Sequence, residues 1–317
     1  MCIRDSLITA DIDLAFQNQF GKGERWSVQF EQLRAETQQL QINFAYPYLL
    51  NTPLGLELDF ELYRRDTTYR DVNWRIGGQY QFSSNHHLSA FTQSLATTLL
   101  GTTPIPQFNQ SLPVDTRYNA FGLTYFQAQL DNRLNPRKGW QVNFQGQAGF
   151  KTIEIEEQLA QIDPTLSDSL ERKSFQYRLD GQLAIYLPIQ KRSTLQLAIK
   201  GATILAEQAI FQNEQYRLGG ARLLRGFDEQ SVFATSYALG TVEYRYLIGR
   251  RSYFTIFSDL AWLDTAIDRD WLLGIGAGMA FETKAGIVGI SYALGKTTAD
   301  PFDFRRAKLH FGFVNSF

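Results

Sequence analysis

Residues 216–227 read YRLGGARLLRGF, a stretch that matches neither a strand nor an ordinary surface loop. The adjacent Gly219 and Gly220 allow the backbone to turn tightly. Arg225 then stands between the apolar pair Leu223-Leu224 and Gly226-Phe227. A flexible exposed loop has no reason to hold apolar residues there. The stretch is therefore expected to be a loop tip packed against something.

The flanking sequence says what kind of wall it packs against. From Leu7 onward, apolar residues recur with a period near two, and polar or Gly/Pro/Asn clusters break the pattern. Strands are expected at about 6–20, 24–35, 37–48, 53–65, 70–83, 86–98, 118–131, 139–151, 173–188 and 193–206. Five more follow at about 237–248, 253–264, 271–282, 286–296 and 305–317, giving about fifteen. Val242, Tyr244, Tyr246 and Ile248 alternate with Thr241, Glu243 and Arg245, and the first set is expected to face lipid. Phe254, Ile256, Leu260 and Trp262 alternate likewise with Thr255, Phe257, Asp259 and Ala261. In the next strand Leu273, Ile275, Ala277, Met279 and Phe281 oppose the small set Gly274, Gly276, Gly278 and Ala280. That small set leaves room inside, as if something lies in the lumen beside it.

Links between the strands are of two kinds. Those at 99–117, 152–173 and 207–236 are long, and the intervening ones are tight. Long and short links alternate when long loops gather at the outer rim of a membrane barrel and short turns at the periplasmic rim. The acidic segment 154–173 could hold a short helix before Pro164, and its charge run favours a solvated loop. Tyr46, Tyr48, Trp140, Trp262 and Trp271 sit near strand ends, where interface girdles form, although aromatics in a soluble β-core would look similar. The chain closes on AKLHFGFVNSF, with Leu309, Phe311 and Phe313 alternating against Lys308, His310 and Gly312, and Phe317 last.

Composition excludes several function classes. The 317 residues carry 14% aromatics, 24 Gly and only 9 Pro, which suits β-structure. A formal net charge of -1 without a basic block argues against a nucleic-acid partner. Cys2 stands alone, which excludes an internal disulfide and a multi-cysteine zinc site, and His86, His87 and His310 are the only histidines. No run of about 18 apolar residues could form a membrane helix, yet a mean hydropathy of -0.26 suits a spanning barrel. The opening MCIRDS is not followed by the apolar core of a signal peptide. Residues 1–6 are therefore expected to be a non-native or disordered leader, and 7–317 a C-terminal barrel domain whose chain starts inside a longer protein.

At these residues the chain resembles the outer-membrane β-barrel insertases of the BamA and TamA type, the bacterial surface antigen barrels, whose superfamily includes two-partner secretion transporters. In that family a long loop folds back into the barrel and carries a VRGF or VRGY tip. Leu224-Arg225-Gly226-Phe227 matches it with Leu for Val, behind the Gly219-Gly220 pair. The segment 241–248, TVEYRYLI, looks like the strand after that loop, and 257–261, FSDLA, looks like the family's F-x-D-x-G with Ala261 for Gly. The turn 131–140, DNRLNPRKGW, is similar to the family's periplasmic turn ending in Pro-x-x-Gly, here Pro136 and Gly139. His310, Gly312 and Phe317 resemble a C-terminal β-signal, with Asn315 where an aromatic often stands.

The resemblance implies an all-β, transmembrane antiparallel barrel of the sixteen-stranded type, with the first strand missing together with the periplasmic POTRA domains. It further implies insertion of other proteins into a Gram-negative-type outer membrane without ATP, cofactor or metal. The partners would be unfolded outer-membrane protein clients, outer-membrane lipids, and accessory lipoproteins reached through the missing domains. A guanidinium inside a lumen loses hydration and needs paired acceptors, so Glu243 and Asp259 are the expected partners of Arg225. The alternative is that both acids are ordinary lumen charges in water. A glycosidase pair lacks any accompanying cleft motif, and no G-x-S-x-G, P-loop or H-E-x-x-H pattern supports catalysis. A two-partner-type secretion pore, a passive porin, and a barrel anchoring an upstream hydrolase remain as rival readings.

Overall fold

The computed structural model describes residues 10–34, 36–101, 113–133, 135–154, 173–249, 251–265, 268–284 and 286–316. The expected leader at 1–6, most of the acidic segment 154–173, and Phe317 lie outside the described residues. Fifteen strands form the wall: β1 (Ala10–Gln17), β2 (Arg25–Arg34), β3 (Thr37–Tyr46), β4 (Leu54–Arg65), β5 (Tyr69–Ser83), β6 (His86–Leu99), β7 (Thr116–Leu130), β8 (Gly139–Ile153), β9 (Ser174–Gln190), β10 (Ser193–Ala206), β13 (Ser236–Leu247), β14 (Tyr253–Asp264), β15 (Arg269–Thr283), β16 (Gly286–Lys296) and β17 (Lys308–Ser316). Two further strands, β11 (Tyr216–Leu218) and β12 (Val232–Ala234), form a separate ribbon inside the long 207–235 link. Residues 216–218 are therefore strand, contrary to the expectation for that stretch, because a ribbon partner 14 or more residues downstream satisfies their backbone.

Each wall strand pairs antiparallel with its neighbours in chain order. The exception is the seam, where β1 and β17 run parallel and, among the described residues, pair at Leu14↔Asn315 and Ala15↔Ser316. Parity explains this: in an up-and-down wall with an odd number of strands, the first and last run the same way. β17 also starts later than expected, because Asp303 caps a 3-10 turn over Phe304–Arg306 by accepting the Arg305 N–H at 2.9 Å.

The period-two pattern resolves into an outer and an inner face. Val242, Tyr244 and Tyr246 are outward and exposed, whereas Glu243 between them is 5% exposed. Ile256 is 66% exposed and its neighbour Phe257 only 3%. This all-β barrel has an apolar belt facing lipid and a polar, partly filled lumen. The links after β6, β8 and β10, the three long ones, leave from one rim. β17 ends at the other rim, with the short turns. The third of the long links turns inward and supplies the apolar core, in which Leu218, Leu224 and Ala234 of the loop pack on Ala202, Tyr237, Leu239, Ala261, Leu263 and Leu272 of the wall.

Candidate functional site: the inward loop and the seam

The loop is rooted before it descends. Lys151 on β8 is fully buried and pairs with Glu214 at 2.9 Å, while donating to the Ala209 carbonyl at 2.7 Å. Glu214 also accepts the Phe211 N–H at 2.9 Å. Asn213 accepts from the Val114 N–H at 3.0 Å and donates to the Val114 carbonyl and the Thr116 hydroxyl. Further along, Arg217 pairs with Asp71 on β5 at 3.2 Å and lies 3.7 Å over the Tyr63 ring.

The turn at Gly219-Gly220 requires both glycines. Their φ values are +109° and +100°, and a Cβ would lie 2.1 Å from the Asp228 carbonyl oxygen at the first and 1.6 Å from the Glu229 carboxylate at the second. Glu229 fills that space because it accepts the Ala221 N–H at 2.7 Å. Leu224 is then fully buried, and its carbonyl accepts the Gly220 N–H at 3.1 Å, which closes the tip.

Arg225 reaches both acids. Its Nε and Nη2 donate to Oδ2 and Oδ1 of Asp259 at 2.7 and 2.8 Å, and its backbone N–H adds a bond to Oδ2 at 3.2 Å. Nη1 donates to Oε2 of Glu243 at 2.5 Å. The guanidinium carbon sits 3.4 Å over the Phe257 ring. β13 and β14 bring these groups together because Thr241 pairs with Asp259 and Glu243 with Phe257 across the strand pair. Thr241 donates to Asp259 at 2.9 Å, and Arg245 donates to Glu243 at 2.7 Å and to Gln196. The two carboxylates are nearly inaccessible, so two arginines and a hydroxyl replace the water they lose.

Gly226 and the small face of β15 let the tip lie flat on the wall. A Cβ on Gly274 would meet the Arg225 carbonyl oxygen at 2.0 Å, and one on Gly295 would meet the Gly226 oxygen at 2.5 Å. Gly226 itself has φ +93° and abuts Leu294. Phe227 packs along the edge of the same apolar core.

The loop also touches both sides of the seam. Asp228 pairs with Lys308 on β17 at 2.7 Å, and the Gly226 N–H donates to His310 Nε2 at 3.4 Å. On the other side Arg222 lies 3.7 Å from Asp13 on β1 and 3.5 Å from Glu31 on β2, and Gln230 donates to Gln39 on β3 at 2.6 Å. Of the three residues grouped as a C-terminal signal, His310 joins the loop tip, Gly312 has open space where a Cβ would stand, and Phe317 lies outside the described residues.

Sequence reasoning missed Arg245, Glu229, Arg222, Arg217 and the Lys151–Glu214 pair. Only Arg245 carried a local signal, its place two residues after Glu243 on the same face. Among the described residues no group of three or more His, Cys, Asp and Glu is placed to hold a metal ion.

The same architecture appears in solved structures. BamA from Haemophilus ducreyi lacking POTRA domains 1–3 is similar over 96% of this chain and 65% of that one, with 13% identity and a TM-score of 0.64. CdiB from Escherichia coli matches over 94% of this chain and 57% of that one, at 15% identity and a TM-score of 0.58. CdiB from Acinetobacter baumannii matches over 96% and 65%, at 13% identity and a TM-score of 0.50. The chain thus spans less than two thirds of each of these relatives. At such identities the likeness speaks for the fold. A search of the curated proteins finds no match. The model of the Omp85 superfamily domain matches residues 18–317, from the turn before β2 through the inward loop to the end of the chain, and the chain belongs to that superfamily of outer-membrane barrels.

Proposed function

We propose that this barrel folds other β-barrel proteins into the outer membrane by templating their strands at the seam between β1 and β17. The sparse pairing at the seam carries the reading. Among the described residues two pairs join β1 to β17, whereas β16 holds the opposite edge of β17 continuously from Ile287↔Val314 to Ala293↔Lys308. Positions 308–314 therefore present backbone N–H and C=O groups with no β1 partner among the described residues. Such an edge accepts an incoming strand through main-chain hydrogen bonds.

Two other features support it. The wall is short near the seam, with 10 residues each in β2 and β3 against 15 to 17 in β7, β8 and β9. A shorter apolar wall thins the adjoining bilayer and lowers the barrier to insertion. The loop, held by Arg225, braces β13 and β14 from inside while the seam stays weak. Clients would be unfolded outer-membrane proteins, and the chemistry needs no nucleotide or cofactor.

The test is a covalent lock. With Cys2→Ser removing the chain's one cysteine, the paired variants Leu14→Cys and Asn315→Cys are oxidised across the seam. Folding of a client barrel into liposomes is followed by its heat-dependent gel shift. Oxidation is expected to stop client folding and reduction to restore it; full activity of the oxidised form would sink the reading.

The second reading is a secretion pore. A lumen cavity of about 370 Å³ beside the tip, lined among others by Gln182, Lys200, Arg222 and Arg245, favours it. A pore requires the tip to leave the lumen, so single-channel conductance that rises when Arg225 is replaced by Ala, with client folding unaffected, would select it.

A further inference from the structure

We propose that the turns 18–24 and 47–53 form an apolar foot that sits in the lipid of the inner leaflet of the outer membrane. The two turns belong to the β1–β2 and β3–β4 hairpins, on the rim where β17 ends. They present Phe20 at 73% and Leu50 at 85% exposure, with Tyr48 and Leu49 beside them also exposed. The turns touch one another: a Cβ on Gly23 would lie 3.6 Å from Pro47, and Gly21, Lys22, Tyr48, Asn51, Thr52 and Pro53 line one cleft.

The tips are held in place. Leu50 and Asn51 have left-handed backbones, φ +53° and +60°, which side-chain-bearing residues rarely adopt. The Thr52 N–H and hydroxyl both donate to the Leu49 carbonyl, at 3.0 and 2.7 Å. In the first turn, Glu24 accepts the Phe20 N–H at 2.6 Å and the Lys22 N–H at 3.1 Å. The single carboxylate of that turn is thus used internally, and 47–53 contains no charged residue. A structure that constrains apolar tips toward solvent marks an interaction surface.

Lipid is the occupant the observations favour. The foot continues the lipid-facing belt, through exposed Trp26 at the start of β2, whose ring lies tilted against Phe44 with centroids 4.3 Å apart, and through exposed Leu54 at the start of β4. The other turns on this rim differ in kind: 84–85 is the small polar Ser-Asn, 131–138 carries Asp131, Arg133, Arg137 and Lys138, 191–192 is Lys-Arg, and Arg251 and Lys284 occupy the next two. Charged turns stay in water or among headgroups, whereas the uncharged 47–53 tip gains by entering the interface together with Phe20, with Lys22 on its flexible stem reaching up to the headgroups. This inference does not rest on the seam reading and fails or stands separately from it.

The test uses the full chain with Cys2→Ser in liposomes and an environment-sensitive fluorophore on a single cysteine, in the variants Phe20→Cys, Leu50→Cys, Leu49→Cys and, as a charged-turn comparator, Lys284→Cys. A heat-dependent gel shift verifies folding of each. Blue-shifted emission and quenching by phospholipids spin-labelled high on the acyl chain are expected at 20, 49 and 50 and not at 284. Emission at those positions matching 284, with quenching by aqueous iodide, would overturn the proposal. Shielding from both quenchers would overturn it too, because a protein surface would then cover the foot.

Discussion

Arg225 and Asp259 form a two-pronged pair, with Nε and Nη2 at 2.7 and 2.8 Å from the two carboxylate oxygens and the Arg225 N–H on the same side chain. Only 1% of Asp259 is exposed, so removing either partner strands a charge in the lumen. Asp259→Ala is expected to cost about 3–5 kcal/mol against chemical denaturation. A double-mutant cycle with Arg225→Ala checks the coupling: the double variant is expected to lose less than the sum of the singles.

Gly274 gives a steric test of the tip's position without touching any charge. Gly274→Ala places a Cβ 2.0 Å from the Arg225 carbonyl, so the tip must lift off β15. In a Cys2→Ser background, a thiol reagent added to a Leu224→Cys variant, whose position is buried in the parent, is expected to react faster when Gly274→Ala is also present. Equal rates would show that the tip does not rest on this wall.

The root of the loop should respond differently to one change than to two. Lys151 and Glu214 are 0% and 3% exposed at their side chains. Glu214→Leu leaves a buried ammonium and is expected to cost about 3–5 kcal/mol. Lys151→Met combined with Glu214→Leu is expected to recover most of that, since an apolar pair of similar size removes both desolvation penalties. Urea titration of the three variants reads the difference.

Asp131, in the short turn between β7 and β8, predicts an acid limit. Partial burial pushes its carboxyl up, but the N–H groups of Arg137 and Lys138, at 2.9 and 3.1 Å, outweigh this and hold it below the usual carboxylate range. A depressed folded pKa contributes stability that is fully present above the unfolded value of about 4 and is lost as pH falls through the folded value. Protease nicking in the 131–138 turn is therefore expected to rise below about pH 4 in the parent. In Asp131→Asn that rise should be absent.

Much of the wall was legible because a β-barrel writes itself locally. Period-two alternation places Val242, Tyr244 and Tyr246 outward and Glu243 inward whatever the rest of the chain does. Strand number and the inequality of the links could likewise be read from local turn chemistry. The wrongly read stretch, 216–218, is a strand of three residues paired with 232–234, too short a run for alternation to show.

The candidate site divides along the same line. That Arg225 needs a lumen acid follows from the cost of dehydrating a guanidinium, and the alternation on β13 and β14 offered Glu243 and Asp259. That Arg217 finds Asp71, that Lys151 finds Glu214, and that Arg222 and Asp228 stand on opposite sides of a seam were decided by barrel closure. Sequence alone determined which residues face inward, because pleating is a property of each strand. Only the tertiary structure decided which inward residues meet, because that depends on the curvature of the whole wall and on how deep the loop descends into it.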